Sequence, residues 1–271
     1  SDEPITAALA NLGGVPNTQI ALFSGPGVTD AGMEALAELG MLKRADFSNS
    51  AISDPTLEAL TNLTNLEVLF LRRTGVSDQG MKNMKPLKRL RAIDLRNTNV
   101  GDAGLKHLAG LPRLADLQVE KANVNDEGIA NVAGLPLKSL NANYCTTISD
   151  AAMKSLADTT TLESLQMDYT KLTDAGMGSV ANFPNLSQLS LDRNPLKTLS
   201  FSEDQPIYAL NINGTGFKDF ESLANIADTL GHLTAQRNGI TTVAALVGFS
   251  QLGNINLERN DISVIGAAFD A

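Results

Sequence analysis

The chain has 271 residues, 43% of them hydrophobic and only 4% aromatic, with no tryptophan and a net charge of −9. The apolar content supplies a continuous aliphatic interior, and the acidic balance disfavours a nucleic-acid partner. The single cysteine, Cys145, excludes a disulfide framework within the chain, and no apolar run reaches transmembrane length.

The first stretch, "SDEPITAALANLGG", predicts a capping helix within a lead-in over 1–18. Asp2 caps it, Pro4 sits in its first turn, and Gly13-Gly14 ends it. Ile5, Leu9 and Leu12 would then cover the first repeat. The opening Ser1 reads as a processed or trimmed start; the sequence leaves the location open, with export or the cell envelope favoured over the cytoplasm.

From 19 to 185 the chain repeats with a period of 24 residues. "LEVLFLRRTGVSDQGMKNMKPLKR" begins at Leu66 and "LRAIDLRNTNVGDAGLKHLAGLPR" at Leu90. Both read L-x-x-L-x-L-x-x-T-x-V-x-D-x-G, followed by apolar residues at a spacing of three. The L-x-L segment alternates, so Ile93 and Leu95 point inward while Asp94 and Arg96 point outward, which is a short strand. After the aspartate, Leu105, Leu108 and Leu111 form one face of a helical turn. A single repeat cannot bury that face, so the repeats must stack. The predicted fold is α/β: a right-handed solenoid, horseshoe-shaped, with a parallel sheet on its concave face and short helices or turns on its convex face.

Aspartate recurs in register at Asp30, Asp54, Asp78, Asp102, Asp126, Asp150 and Asp174. Each follows a Ser, Thr, Asn or Gly, the residues favoured at a helix N-cap, so the seven are predicted to be structural caps. The glycines two places later, such as Gly80 and Gly104, predict a close approach between successive turns. A second polar column precedes the aspartates and includes Thr74, Thr98, Thr170, Asn194, Asn238 and Asn260. It is expected to bond backbone where the chain leaves each strand, and Cys145 falls in it as a structural filler.

Between 186 and 271 the repeats shorten to 21–23 residues, D-x-G disappears, and asparagine replaces threonine at the turn. Less helix is expected there. No linker separates the two stretches, and the reading is one continuous domain. The final "DISVIGAAFDA" leaves Ile262, Ile265 and Phe269 near an unpaired edge. A monomer is expected, with an edge-to-edge dimer through that end as the alternative.

The unit T-x-V-[ST]-D-x-G-L resembles the 24-residue leucine-rich repeats abundant in bacterial proteins, which are often large and exported. "LKSLNANYCTTISD" is similar to the cysteine-containing repeats associated with F-box proteins, a class related to the ribonuclease-inhibitor type. The later repeats look like the shorter bacterial internalin-like type. The resemblance covers about 19–262 and implies a curved scaffold for protein recognition, with the strand face as the contact surface.

No chemistry competes with that expectation. The two histidines, His107 and His232, are five repeats apart and neither has a cysteine at ligand spacing. No phosphate-loop, dinucleotide or nucleophile-elbow pattern appears, and no cofactor or metal is implied. The expected activity is therefore non-enzymatic binding of a protein partner. The candidate contacts are Phe70, Arg72, Arg96, Tyr144, Asp168, Tyr169 and Arg193. Tyrosine and arginine are the types enriched at binding hot spots, and seven of the ten arginines fall on or beside the outward strand positions. The rival readings are a spacer segment of a larger bacterial surface or envelope protein, and a glycan-binding surface, which the lack of tryptophan weakens.

Overall fold

A computed structural model describes residues 14–203 and 205–263. The helix read within 1–18 lies almost wholly outside the described residues, as do Ile265 and Phe269. The chain divides into two compact units, residues 1–137 and 138–271. The division falls inside the run of 24-residue repeats rather than at the change of repeat length near Leu186.

Among the described residues the first unit holds five strands of three residues each: β1 (Ile20–Leu22), β2 (Arg44–Asp46), β3 (Val68–Phe70), β4 (Ala92–Asp94) and β5 (Asp116–Gln118). They pair in parallel and in chain order, with Ala21, Ala45, Leu69, Ile93 and Leu117 in one buried row. The second unit repeats the plan with β6 (Ser139–Asn141), β7 (Ser164–Gln166), β8 (Gln188–Ser190), β9 (Ala209–Asn211), β10 (His232–Thr234) and β11 (Asn254–Asn256). Its register runs Leu140, Leu165, Leu189, Leu210, Leu233 and Ile255.

Each strand is followed by a return segment whose apolar spacing of three closes the core. In the repeat from Leu90, the residues Ile93, Leu95, Val100, Leu105, Leu108 and Leu111 are each at most 1% exposed. Burying each contributes about 1.5–3 kcal/mol before chain entropy is charged against it. The returns are α-helical at Asp54–Ala59, Asp78–Met81, Asp102–Lys106, Asp126–Val132, Asp150–Ser155 and Asp174–Met177. Beyond Asp174–Met177 the described returns contain only 3-10 helix, at Val180–Asn182, Phe220–Ile226 and Ala244–Leu246.

Candidate functional site

From β2 to β11 the chain makes the same backbone move where it leaves each strand. Asn49, Arg73, Asn97, Lys121, Tyr144, Tyr169, Arg193, Arg237 and Arg259 all adopt left-handed backbone, with φ between 54° and 62°. Gly214 fills the equivalent place between Arg193 and Arg237, with φ 63°. The sequence places these residues just beyond the strands but gives no sign of their handedness.

The seven candidate contacts fall into different surroundings. Phe70 is half-buried rather than exposed, because the Arg44 guanidinium lies over its ring at 4.7 Å. Arg72 is half-buried in the next outward position along β3's exit and makes no ion pair among the described residues. Arg96 is held by Asp94, with Nε to Oδ1 at 2.9 Å and Nη2 to Oδ2 at 2.6 Å. That carboxylate is almost entirely buried, and its hydrogen bonds hold the guanidinium above its ordinary pKa range. The Asp94–Arg96 pair is thus closed within one repeat.

In the second unit the aromatic rings of Tyr144 and Tyr169 stack at 4.5 Å and 14°, each residue remaining 40% exposed. The Arg193 guanidinium lies 6.0 Å from the Tyr169 ring. Asp168 belongs to a ladder that runs along the neighbouring row. Asp168 donates its backbone N–H to Asn143 Oδ1 at 2.7 Å and accepts that of Asp192 at 2.8 Å. Asp192 Oδ1 in turn accepts the Asn213 N–H at 2.7 Å, and Asn213 Oδ1 accepts that of Gln236 at 2.8 Å. Ser190 Oγ also donates to Asp168 Oδ1 at 2.7 Å. Asp168 is therefore partly spent on holding the backbone. The ladder floors a recess of about 370 Å³ over β7 to β10, lined by Gln166, Gln188, Ser190, Asn211 and Thr234 among others.

The aspartates occupy the other side of each repeat. From Asp54 to Asp174 each is the first residue of its helix and the preceding Ser, Gly, Asn or Thr is the N-cap. Asp30 differs: its return is a 3-10 helix that begins only at Met33. The carboxylates reach across to the following repeat. Asp30 accepts the Ser53 N–H at 2.8 Å and hydroxyl at 2.6 Å, and the Thr56 hydroxyl at 2.6 Å. Burial pushes its pKa up, but these bonds and the Thr56 N–H outweigh burial and hold it below 3.8. Asp78 accepts the N–H groups of Gly101 at 2.6 Å and Gly104 at 2.9 Å. A side chain at Gly104 would bring a Cβ to 2.5 Å from Asp78 Oδ1, which is why this place must be empty.

Sequence reasoning missed Ile20 and Leu22, 60% and 65% exposed on either side of inward Ala21 in β1. The alternation in "QIALF" is the signal that identifies them. It placed His232 on a strand but gave no partner; Nε2 lies 2.9 Å from the Tyr208 hydroxyl. Among the described residues no group of three or more His, Cys, Asp or Glu is arranged to hold a metal, and no helix is long and apolar enough to cross a membrane.

The comparisons with known proteins agree with this geometry. A family model described as a leucine-rich repeat matches residues 89–109. An internalin (inlF) from Listeria monocytogenes superposes with a TM-score of 0.66 at 23% identity, covering 97% of this chain and 89% of that one. Internalin C2 from the same organism gives 0.55 at 24% identity, covering 71% of this chain and 77% of its own. The ectodomain of the Arabidopsis thaliana receptor kinase GASSHO1/SCHENGEN3, solved with CASPARIAN STRIP INTEGRITY FACTOR 2, gives 0.53 at 17% identity; the match covers 91% of this chain and 32% of that one. No curated protein matches the sequence. The fold is that of a leucine-rich-repeat solenoid, an architecture commonly used for protein–protein interaction.

Proposed function

We propose that this chain is a non-enzymatic module that binds another protein through the strand faces of its units. The contacts are Phe70, Arg72, Arg96, Tyr144, Asp168, Tyr169 and Arg193. One observation carries the reading: two of the chain's three tyrosines are stacked on adjacent repeats and kept 40% exposed. A stack at the surface leaves apolar area in water that a partner removes. A receptor ectodomain of the same fold was solved in complex with a bound factor, which supports the binding reading. Arg96 and Asp168 act by positioning neighbours, since each is already bonded within the chain. The aspartates Asp30 to Asp174 are structural, with Asp54 to Asp174 opening their helices just after the N-cap, and do not form a site. We read the chain as a monomer, exported or in the cell envelope.

The test is capture from the native source with wild type and with Phe70→Ala/Arg72→Glu/Tyr144→Ala/Tyr169→Ala, after both are shown to melt alike. The expected result is a protein captured by wild type alone. Equal capture moves the site off the strand faces, and no capture by either favours a spacer segment. The polar recess over β7 to β10 supports a second reading, a glycan lying within it. Binding on a glycan array that survives the quadruple substitution but fails on Gln166→Ala/Gln188→Ala would favour it.

A further inference from the structure

Five of the left-handed residues lie in the second unit, and their side chains form one run. Left-handed backbone is favoured by glycine and tolerated by asparagine, while other side chains are disfavoured there. This protein uses the permissive types at Asn49, Asn97 and Gly214, so the solution was available at every repeat. Tyrosine and arginine in the same conformation do not serve the turn; their side chains serve something else.

The charges of this run are open. Among the described residues no carboxylate lies within 4.0 Å of Arg193, Arg237 or Arg259. The nearest acid in sequence to Arg193, Asp192, is turned away, accepting the Asn213 N–H at 2.7 Å and Nδ2 at 2.9 Å. The stem of Arg193 lies across Gly214, where a Cβ would come within 2.9 Å of Arg193 Cδ, so the missing side chain gives the arginine its place. In the first unit, by contrast, Arg96 is closed by Asp94 at 2.6 Å and Lys121 lies 3.7 Å from Glu120. A run of three cations and two tyrosines without an anion stands out on a chain of net charge −9.

We propose that Tyr144, Tyr169, Arg193, Arg237 and Arg259 form a docking stripe for an acidic segment of the partner protein. The inference rests on the protein-binding reading above and names the chemistry of what is bound. An acidic segment is attracted to this edge and repelled by the rest of the acidic surface, which fixes where and how it lies. From β6 to β11 the stripe crosses five strand spacings, about 24 Å at ~4.8 Å each, a length covered by about seven or eight extended residues. The tyrosine stack offers ring edges at one end, and the guanidiniums offer planar donor forks for carboxylates at the other.

The probe is a fluorescein-labelled oligo-glutamate of about ten residues, long enough to span the stripe. Its binding to the whole chain is measured by fluorescence anisotropy at low and physiological salt. The decisive variant is Arg193→Asn/Arg237→Asn/Arg259→Asn. Asparagine suits left-handed backbone, so this protein should melt at or slightly above the wild-type temperature while its affinity falls about tenfold or more. Wild-type binding should weaken with salt, and Lys106→Asn should leave it unchanged. If the triple variant melts normally and binds oligo-glutamate as well as wild type does, the stripe is not the site. Wild type binding heparin fragments, or vesicles containing phosphatidylserine, but not oligo-glutamate overturns the acidic-segment assignment. A native partner lost on the quadruple variant yet still captured by the asparagine triple overturns the stripe alone and leaves protein binding standing. The anisotropy measurement reads the stripe even where no native partner is captured.

Discussion

Between Asp30 and Asp174 successive repeats are fastened by carboxylates, and between Asn194 and Asn260 by carboxamides. A helix start presents several N–H groups at one point, and an ionised carboxylate, an acceptor only, fits that demand. Asp150 shows it, accepting the Thr173 N–H at 2.8 Å and hydroxyl at 2.6 Å. Asp174 is the last rung, and it takes the N–H groups of Lys197 at 2.7 Å and Thr198 at 3.0 Å in a segment without helix. Beyond it no α-helix start remains among the described residues. The free groups at the strand exit are a mixture of N–H and C=O, which needs a side chain that both donates and accepts. Asn238 donates to the Ile212 carbonyl at 2.9 Å and accepts the N–H groups of Thr215 at 2.8 Å and Gly216 at 2.9 Å. In the earlier column Ser50, Thr74 and Thr98 donate only locally at the same place, as when Thr74 donates to the Leu71 carbonyl at 2.6 Å. The lesson is that the kind of return segment dictates the chemistry of the fastening.

The largest test of this contrast is Asn238→Leu, which keeps the volume and orphans several buried groups. It should lower unfolding free energy by about 3 kcal/mol or more in a denaturant titration, against about 1 kcal/mol for Thr74→Val. Equal losses would remove the distinction between fastening and local bonding. Next comes Gly104→Ala, whose methyl group meets the Asp78 carboxylate and should cost about 1–3 kcal/mol. Adding Asp78→Ala should recover part of that loss, whereas strictly additive losses would place the clash elsewhere.

Asp102→Ala, which loses the bond from the Asn125 N–H at 2.9 Å, should cost about 1 kcal/mol. The same rungs set the acid limb of stability. The pKa of Asp30 is lowered by hydrogen bonds that outweigh burial, and that of Asp174 by the Thr198 and Lys197 N–H groups, which likewise outweigh it. Each contribution is fully present above 3.8 and is lost as pH falls through the lower folded value. Asp30→Asn should therefore flatten thermal stability below pH ~4; an unchanged acid limb would contradict the assignment. The smallest expected effect is Lys121→Ala, an exposed pair at 3.7 Å, within about 0.5 kcal/mol of wild type.

Much of the fold was legible because a strand and a return segment leave different periods in one repeat. The spacing of Leu105, Leu108 and Leu111 predicted the buried face that the structure shows. The recurrence of D-x-G located the helix starts from Asp54 onward, but not the 3-10 start of the first return at Met33. The candidate site was less legible. Phe70 was expected to be exposed, and Arg44, paired with Val68 on the neighbouring strand β2, covers it. Asp168 was expected to face a partner, and it holds the backbone of Asp192. In both cases the deciding neighbour is one repeat away, where sequence periodicity gives adjacency but no side-chain direction. Gln205 illustrates the same limit: a glutamine in an irregular stretch is 2% exposed and donates to the carbonyls of Val180 at 2.9 Å and Phe183 at 3.0 Å.

By itself the sequence determined the repeat, the parallel stacking and the identity of the inward row, because burying a recurrent apolar face admits few arrangements. Only the tertiary structure decided where each polar group is spent. It turned the aspartates toward the following repeat, closed Arg96 onto Asp94, and left Arg193, Arg237 and Arg259 without carboxylates within 4.0 Å among the described residues. Hydrophobic burial is insensitive to direction and can be read from period alone, whereas hydrogen bonds and ion pairs depend on distances of a few tenths of an ångström that only the packed repeats set.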